Sequence, residues 1–188
     1  MIYKESKDFL SDESKEFINK VVLGGNFPFH NQYTNCAPGE FFLSHTVLER
    51  IENRSSKKMW NSHYHKNFVK MCEEFCKQQG IKINKYLRMC VNFTFNNGFK
   101  KHVSHQDHDF PHEQLIIILN DPQDPHSDTV ILSEDKNIKL KISKPQQYKG
   151  IYFDNHPHYQ VMPRFGYRIA LVTTFQWEKE KDKGGSKN

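Results

Sequence analysis

The chain has 188 residues and a mass of 22.4 kDa, enough to close one hydrophobic core without disulfide or metal staples. Mean hydropathy is −0.80, but the apolar part is carried by 15 Phe, 8 Tyr and 2 Trp against two alanines, which excludes a disordered tail protein. The absence of an apolar run of 18 residues excludes a helical membrane span, and the +5 charge gathers in no dense basic patch interleaved with aromatics, so nucleic acid is not indicated as a partner.

The first 20 residues read as a short strand and a helix. Ser11 caps that helix, Phe17, Ile18, Val21 and Val22 form its apolar face, and Gly24-Gly25 ends it. No apolar leader precedes it, so no secretory signal is expected. Residues 26–56 show no period and are expected to be irregular, with one or two short elements and turns at Asn35 and Pro38-Gly39. Residues 57–79 repeat Trp60, Tyr64, Phe68, Met71, Cys72, Phe75 and Cys76 at spacings of three and four, which predicts a helix capped at Gly80. Cys72 and Cys76 are then small core residues. With Cys36 and Cys90 the chain has four cysteines and no CxxC, a usage that points to a reducing compartment, the cytoplasm.

The period then changes to two. Over 85–95, Leu87, Met89, Val91, Phe93 and Phe95 alternate with Arg88, Cys90, Asn92 and Thr94. The run LIIIL at 115–119 predicts a strand buried on both faces, and further strands are expected at 129–132, 138–142, 150–153 and 167–177. Helices followed by strands without helical crossovers predict a mostly β chain of α+β class, a jelly-roll barrel packed on N-terminal helices. A single domain over 1–188 is expected, with 1–84 as helical support and irregular segments, 85–177 as the barrel and 178–188 as a frayed tail.

Eleven histidines are the unusual count, crowded at 102–112 and again at His156 and His158. His105 and Asp107 lie two apart, so in extended chain they point to one side, as metal ligands do. The third ligand must come from elsewhere, and His156 and His158 are the candidates. Two His and one carboxylate on one face of iron leave positions open for substrate and oxygen. Arg168 begins the last strong strand and shares a face with Ala170, Val172 and Thr174. A guanidinium pointing into a barrel needs an anion, because an unpaired buried charge costs roughly 3–5 kcal/mol, and its fork suits a carboxylate. His102, His108 and His112 read as surface or supporting residues, and His63 and His65 as surface or packing residues.

These pieces together resemble the iron(II)- and 2-oxoglutarate-dependent dioxygenases, in particular the small prolyl 4-hydroxylase-like members. The matching residues are His105-x-Asp107, the strand LIIILND, Asp128-Thr129-Val130, Phe153-Asp154, and His158 with Arg168 ten residues on. The resemblance covers about 86–177. Short viral and bacterial members are similar in size and in the phrases HQDH and GYR, and low alanine with high Lys, Asn and Ile suits the AT-rich genome of a phage. The family spacing to arginine selects His158 over His156. The resemblance implies that His105, Asp107 and His158 hold iron(II) and that Arg168 pairs with the far carboxylate of 2-oxoglutarate. It implies oxygen as co-reactant, allows ascorbate, and makes a peptide or protein side chain such as proline the default substrate. Two departures stand out. His126-Ser127-Asp128 replaces paired glycines, and Ala170 stands where some subfamilies place Ser or Thr beside the cosubstrate. Arg88, Asn92 and Thr174 are the polar residues that could replace that helper, and Asn92 is favoured.

Two other functions fit the same residues less well. A cupin-like metal-binding module would need no buried arginine near its metal. A nucleic-acid oxidising member would need a basic aromatic groove, of which Phe99-Lys100-Lys101 is a faint version. Substrate choice is expected to sit on residues 36–56 and 98–101, with the two lysines favouring anionic or backbone-rich substrates.

Overall fold

The computed structural model describes residues 1–33, 36–54 and 60–177. The expected tail at 178–188, the turn residue Asn35 and the first residues of the long helix at 57–59 lie outside the described residues. Ten strands form two sheets. The larger contains β1 (Tyr3–Ser6), β2 (His30–Gln32), β3 (Phe42–Leu48), β4 (Ile83–Phe95), β5 (Glu113–Ile118), β8 (Gly150–Asp154) and β10 (Tyr167–Trp177), in the order β1-β8-β5-β10-β4-β3-β2. The smaller contains β6 (Thr129–Leu132), β7 (Lys139–Ser143) and β9 (His158–Gln160), in the order β7-β6-β9. Bridges Lys101–Val161 and His105–His158 run the chain at 101–105 alongside this smaller sheet. All pairings within the sheets are antiparallel, the jelly-roll arrangement that the period-two segments predict.

Helix α1 (Asp12–Phe17) starts where the sequence indicates, with the Ser11 hydroxyl accepting from the Ser14 N–H, and passes into a π-helical turn at Ile18–Val22. Helix α2 (His65–Gln79) is shorter than the apolar repeat suggests. Trp60 lies before it and stacks on His65. Its end is as expected, because Gly80 takes φ 66°, a left-handed cap that glycine adopts without a Cβ penalty. The apolar face of α2 puts Phe68, Met71, Cys72, Phe75 and Cys76 against Met89, Val91, Leu115, Ile117, Leu171 and Phe175 of the larger sheet. Gly150 permits that contact, since a Cβ there would lie 2.6 Å from the Phe75 ring.

Residues 26–56 depart from the expectation of irregular chain. β3 is a seven-residue strand paired along β4, and β1 and β2 lengthen the same sheet. The segment before residue 84 therefore contributes sheet as well as helices. The strand has no clean alternation because His45 and Ser44 are buried and polar, each with a partner, so its inward and outward faces look alike in sequence. Among the described residues no helix is long and apolar enough to cross a membrane.

Candidate active site

The antiparallel register carries inward-facing side chains across the larger sheet in rows. One row is Ser44, Asn92, Ala170 and Ile118, and the next is Thr46, Cys90, Val172 and Ile116. A third sets Arg88, Thr174 and Gln114 side by side, with Phe153 beyond on β8. The alternation in β4 and β10 thus builds one wall of the cavity between the sheets. His158, Thr129, Tyr159 and Gln160 of the smaller sheet form the facing wall, and His102, His105 and Asp107 close one side.

His105, Asp107 and His158 meet there, with their donor atoms within 4.8 Å of one another. His105 and His158 face each other because their backbones exchange hydrogen bonds, N–H to O at 3.1 and 2.9 Å. His105 is held by this bridge, and Asp107 lies in the bend that follows rather than on a strand. Each ring is oriented by a carbonyl two residues upstream: His105 Nδ1 meets Val103 O at 2.9 Å and His158 Nδ1 meets His156 O at 3.3 Å. A carbonyl can only accept, so Nδ1 carries the proton and Nε2 keeps its lone pair. His158 Nε2 lies 3.7 Å from Asp107 Oδ2 and 3.2 Å from the Gln114 amide. Burial, reinforced by His105, lowers the His158 pKa to about 3, so the ring is the neutral donor that a metal requires.

The Asp107 carboxylate is divided between two tasks. Oδ1 accepts from Arg88 and, at 3.2 Å, from Arg50, while Oδ2 is buried with no hydrogen-bond partner. Burial pushes this carboxyl up, but Arg88, then His158, His105 and Arg50, outweigh it and hold Asp107 well below the usual carboxylate range. A buried anionic oxygen with no hydrogen-bond donor, beside two imidazoles, is a donor set of the kind that holds divalent metals.

Arg168 is 2% exposed. Its Nη1 donates to Ser127 O at 2.9 Å and its Nη2 to Thr129 Oγ1 at 2.8 Å, and Nε is buried without a hydrogen bond. Burial lowers its pKa to about 10, opposed by Asp128, and no salt bridge balances it among the described residues. The residues 126–128 that replace glycines are therefore used: Ser127 supplies the carbonyl, and Asp124, fixed by Arg164 at 2.9 Å, holds the loop through the His126 N–H.

Of the three candidate helpers, Arg88 is taken up by Asp107 and Thr174 by His108 Nε2 at 2.8 Å. Asn92 lines the cavity opposite Ala170 and accepts from Ser44 at 2.9 Å. The residue that touches the guanidinium is Thr129, which the sequence marks only as part of the matching Asp128-Thr129-Val130 strand and to which it assigns no role. His156 does not join the cluster, and its Nδ1 lies 2.8 Å from Asp154. His102, His108 and His112 are not surface residues but 3–8% exposed. His102 pairs with Glu40, His108 bridges Glu52 and Thr174, and His112 packs edge-on against His108. Residues 36–56 do reach the site, through Phe42 in the cavity wall and Arg50 on Asp107, and Lys101 lies over the Tyr159 ring.

No family model matches this sequence, and no curated protein does. Solved structures share its fold. A 2OG-Fe(II) oxygenase family oxidoreductase from Burkholderia pseudomallei superposes with a TM-score of 0.70 at 12% identity, over 93% of this chain and 84% of that one. A viral collagen prolyl hydroxylase from Paramecium Bursaria Chlorella virus-1, in complex with 2OG, gives 0.57 at 16% identity, over 93% and 95%. A prolyl hydroxylase from Trichoplax adhaerens, bound to a hypoxia inducible factor peptide fragment, gives 0.61 at 13% identity, over 92% and 82%. The fold is that of the 2-oxoglutarate oxygenases and prolyl hydroxylases.

Proposed function

We propose that this chain is an iron(II)- and 2-oxoglutarate-dependent dioxygenase that hydroxylates a carbon centre. His105, Asp107 and His158 would hold the metal, and Arg168 the distal carboxylate of the cosubstrate. The observation that carries the reading is a pair of orphaned buried atoms on residues lining one cavity, Asp107 Oδ2 and Arg168 Nε. The first asks for a cation and the second for an anion, and a metal with a dicarboxylate cosubstrate supplies both. A metal-binding module alone leaves Arg168 unexplained.

Once bound, iron and 2-oxoglutarate supply the oxidising chemistry, consuming oxygen and releasing succinate and carbon dioxide. The chain's own part is placement and shielding. Arg88 and Arg50 occupy Oδ1 of Asp107 and leave Oδ2 as its donor. The backbone bridge sets the separation of the two imidazoles before any metal arrives. Ser127 O and Thr129 Oγ1 fix the guanidinium plane, and Asn92, on the neighbouring strand of the same wall, stands as a second polar contact for the cosubstrate. Ile116, Ala170 and Val172 line the floor and keep water from the reacting centre. Ala170 leaves room beside Arg168 that a larger side chain would fill.

A peptide or protein side chain, such as proline, is the favoured substrate. The prolyl hydroxylases among the structures of the same fold support it, as does the bound peptide of one of them. The cysteine usage supports a cytoplasmic location. The deciding experiment incubates the full chain with iron(II), 2-oxoglutarate and oxygen and measures succinate, with and without proline-containing peptides. Succinate should form, rise with a peptide substrate and vanish in His158→Ala. Absence of both succinate formation and 2-oxoglutarate binding would end the proposal.

A further inference from the structure

A second group of metal-binding side chains lies beside the cavity, apart from the His105 group. Cys36, Glu40 and His102 bring a sulfur, a carboxylate oxygen and an imidazole nitrogen within 4.8 Å of one another. The first two flank the turn before β3, and the third lies on the chain that runs alongside the smaller sheet. Each protein part is fixed independently of the others. The Ala37 N–H donates to Glu40 Oε2 at 2.8 Å, and the Glu40 N–H to Ala37 O at 2.9 Å, so the turn holds the carboxylate from behind. The His102 N–H donates to Gln160 O at 2.9 Å, and Phe42 packs edge-on against the His102 ring.

Glu40 is 1% exposed, and its Oε1 is buried with no hydrogen-bond partner although it lies against His102 Nδ1. A buried carboxylate oxygen in contact with an imidazole nitrogen, with a thiol beside them, brings three metal donors to one point.

We propose that Cys36, Glu40 and His102 form a second divalent-metal site, separate from His105, Asp107 and His158, that takes zinc or an ion of similar softness. Sulfur, nitrogen and oxygen donors together suit zinc, whereas magnesium and calcium prefer oxygen throughout. Three protein ligands leave a fourth tetrahedral position for water. The thiol gives its proton to solvent as the sulfur–metal bond forms. The ion ties the turn at 36–40 to His102, whose ring also lines the cavity with His105 and Arg168. It therefore fixes a wall of the substrate cavity from outside it. The inference does not rest on the dioxygenase reading.

The test titrates the metal-free full chain with cobalt(II), which reports thiolate ligation by a near-ultraviolet charge-transfer band. Two equivalents should bind, one bringing the band, and zinc should displace it. Cys36→Ser should lose the band and one equivalent with an unchanged far-ultraviolet spectrum. His105→Ala should lose the other equivalent and keep the band. Glu40→Gln should weaken zinc at least tenfold in competition with a chromophoric chelator. No band in the unsubstituted chain, a band that survives Cys36→Ser, or one that His105→Ala removes would each overturn the proposal. The first of these readings needs no variant, so a substitution that fails to fold cannot rescue it.

Discussion

Arg168→Met separates a binding arginine from a structural one. In the cosubstrate-free protein the guanidinium is buried with no carboxylate partner, and burial takes its pKa from 12.5 to about 10. At about 1.4 kcal/mol per pKa unit, that drop corresponds to roughly 3 kcal/mol of destabilised charge. For a base with a depressed folded pKa the penalty is fully present below pH 10, hence at neutral pH. Hydrogen bonds to Ser127 O and Thr129 Oγ1 offset it, at about 1.5–3 kcal/mol each for a charged donor. Replacing the side chain by methionine removes both the penalty and the compensation. Metal-free stability in urea should therefore change by less than about 1.5 kcal/mol, well below the roughly 3–5 kcal/mol lost when a balanced buried pair is broken. Affinity for 2-oxoglutarate, measured by calorimetry with manganese in place of iron, should fall at least about thirtyfold, the equivalent of about 2 kcal/mol or more. Arg168→Lys should recover little, since the fork is lost. A variant that is destabilised by more than about 3 kcal/mol and still binds the cosubstrate normally would make Arg168 a structural residue and refute the argument.

What could be read in advance follows from where periodicity carries information. β4 alternates so strictly that Arg88, Asn92 and Thr94 fall on one of its faces, while Arg168 and Ala170 share a face of β10 by their spacing of two, and both faces line the cavity. The convergence of His105, Asp107 and His158 needed more than spacing, because a bridge between chain segments 53 residues apart creates it. Only the family resemblance separated His158 from His156, and in the structure the two rings have different neighbours, Asp107 and Asp154. The Arg50–Asp107 and Glu40–His102 contacts were illegible for a different reason. They join the irregular-looking segment 36–56 to the histidine cluster, and β3 hides buried Ser44 and His45 behind partners that local sequence does not reveal. Thr129 stands out in the sequence only as part of the matching Asp128-Thr129-Val130 strand, and the role of its hydroxyl emerges once the arginine that uses it is placed. For His102, His108 and His112 the sequence leaves surface and supporting roles open, and the structure takes the supporting one: each is buried against a partner that accounts for its position.

Three further predictions rest on packing and charge around the site. Gly150→Ala should destabilise the fold by about 1–3 kcal/mol, read by urea unfolding, since its Cβ would enter the Phe75 ring; no change would show that α2 sits farther from β8. Asp107→Asn should cost the metal-free protein about 3–5 kcal/mol because Arg88 and Arg50 lose their anion, and a loss below about 1 kcal/mol would mean that solvent already screens those arginines. The last prediction concerns acid. His45, His102, His112 and His158 are all buried, and in each case burial is the first cause of a pKa below the ordinary 6.5. His45 shows why: its ring lies 2.9 Å from Pro28 O and 2.8 Å from Ser62 Oγ, a fit for one neutral tautomer. A group whose folded pKa is depressed stabilises the fold fully above its unfolded pKa and loses that contribution as pH falls toward the folded value. The window here opens near 6.5 and extends, for His158, down to about 3. Each ring contributes at most about 1.4 kcal/mol per pH unit within its window. Urea midpoints of the metal-free chain should therefore fall between pH 7.5 and 5.5, and His45→Gln should flatten that dependence. An equal midpoint at both values would mean that these imidazoles take up protons in the folded state, and the neutral donor set argued for the site would fail with them.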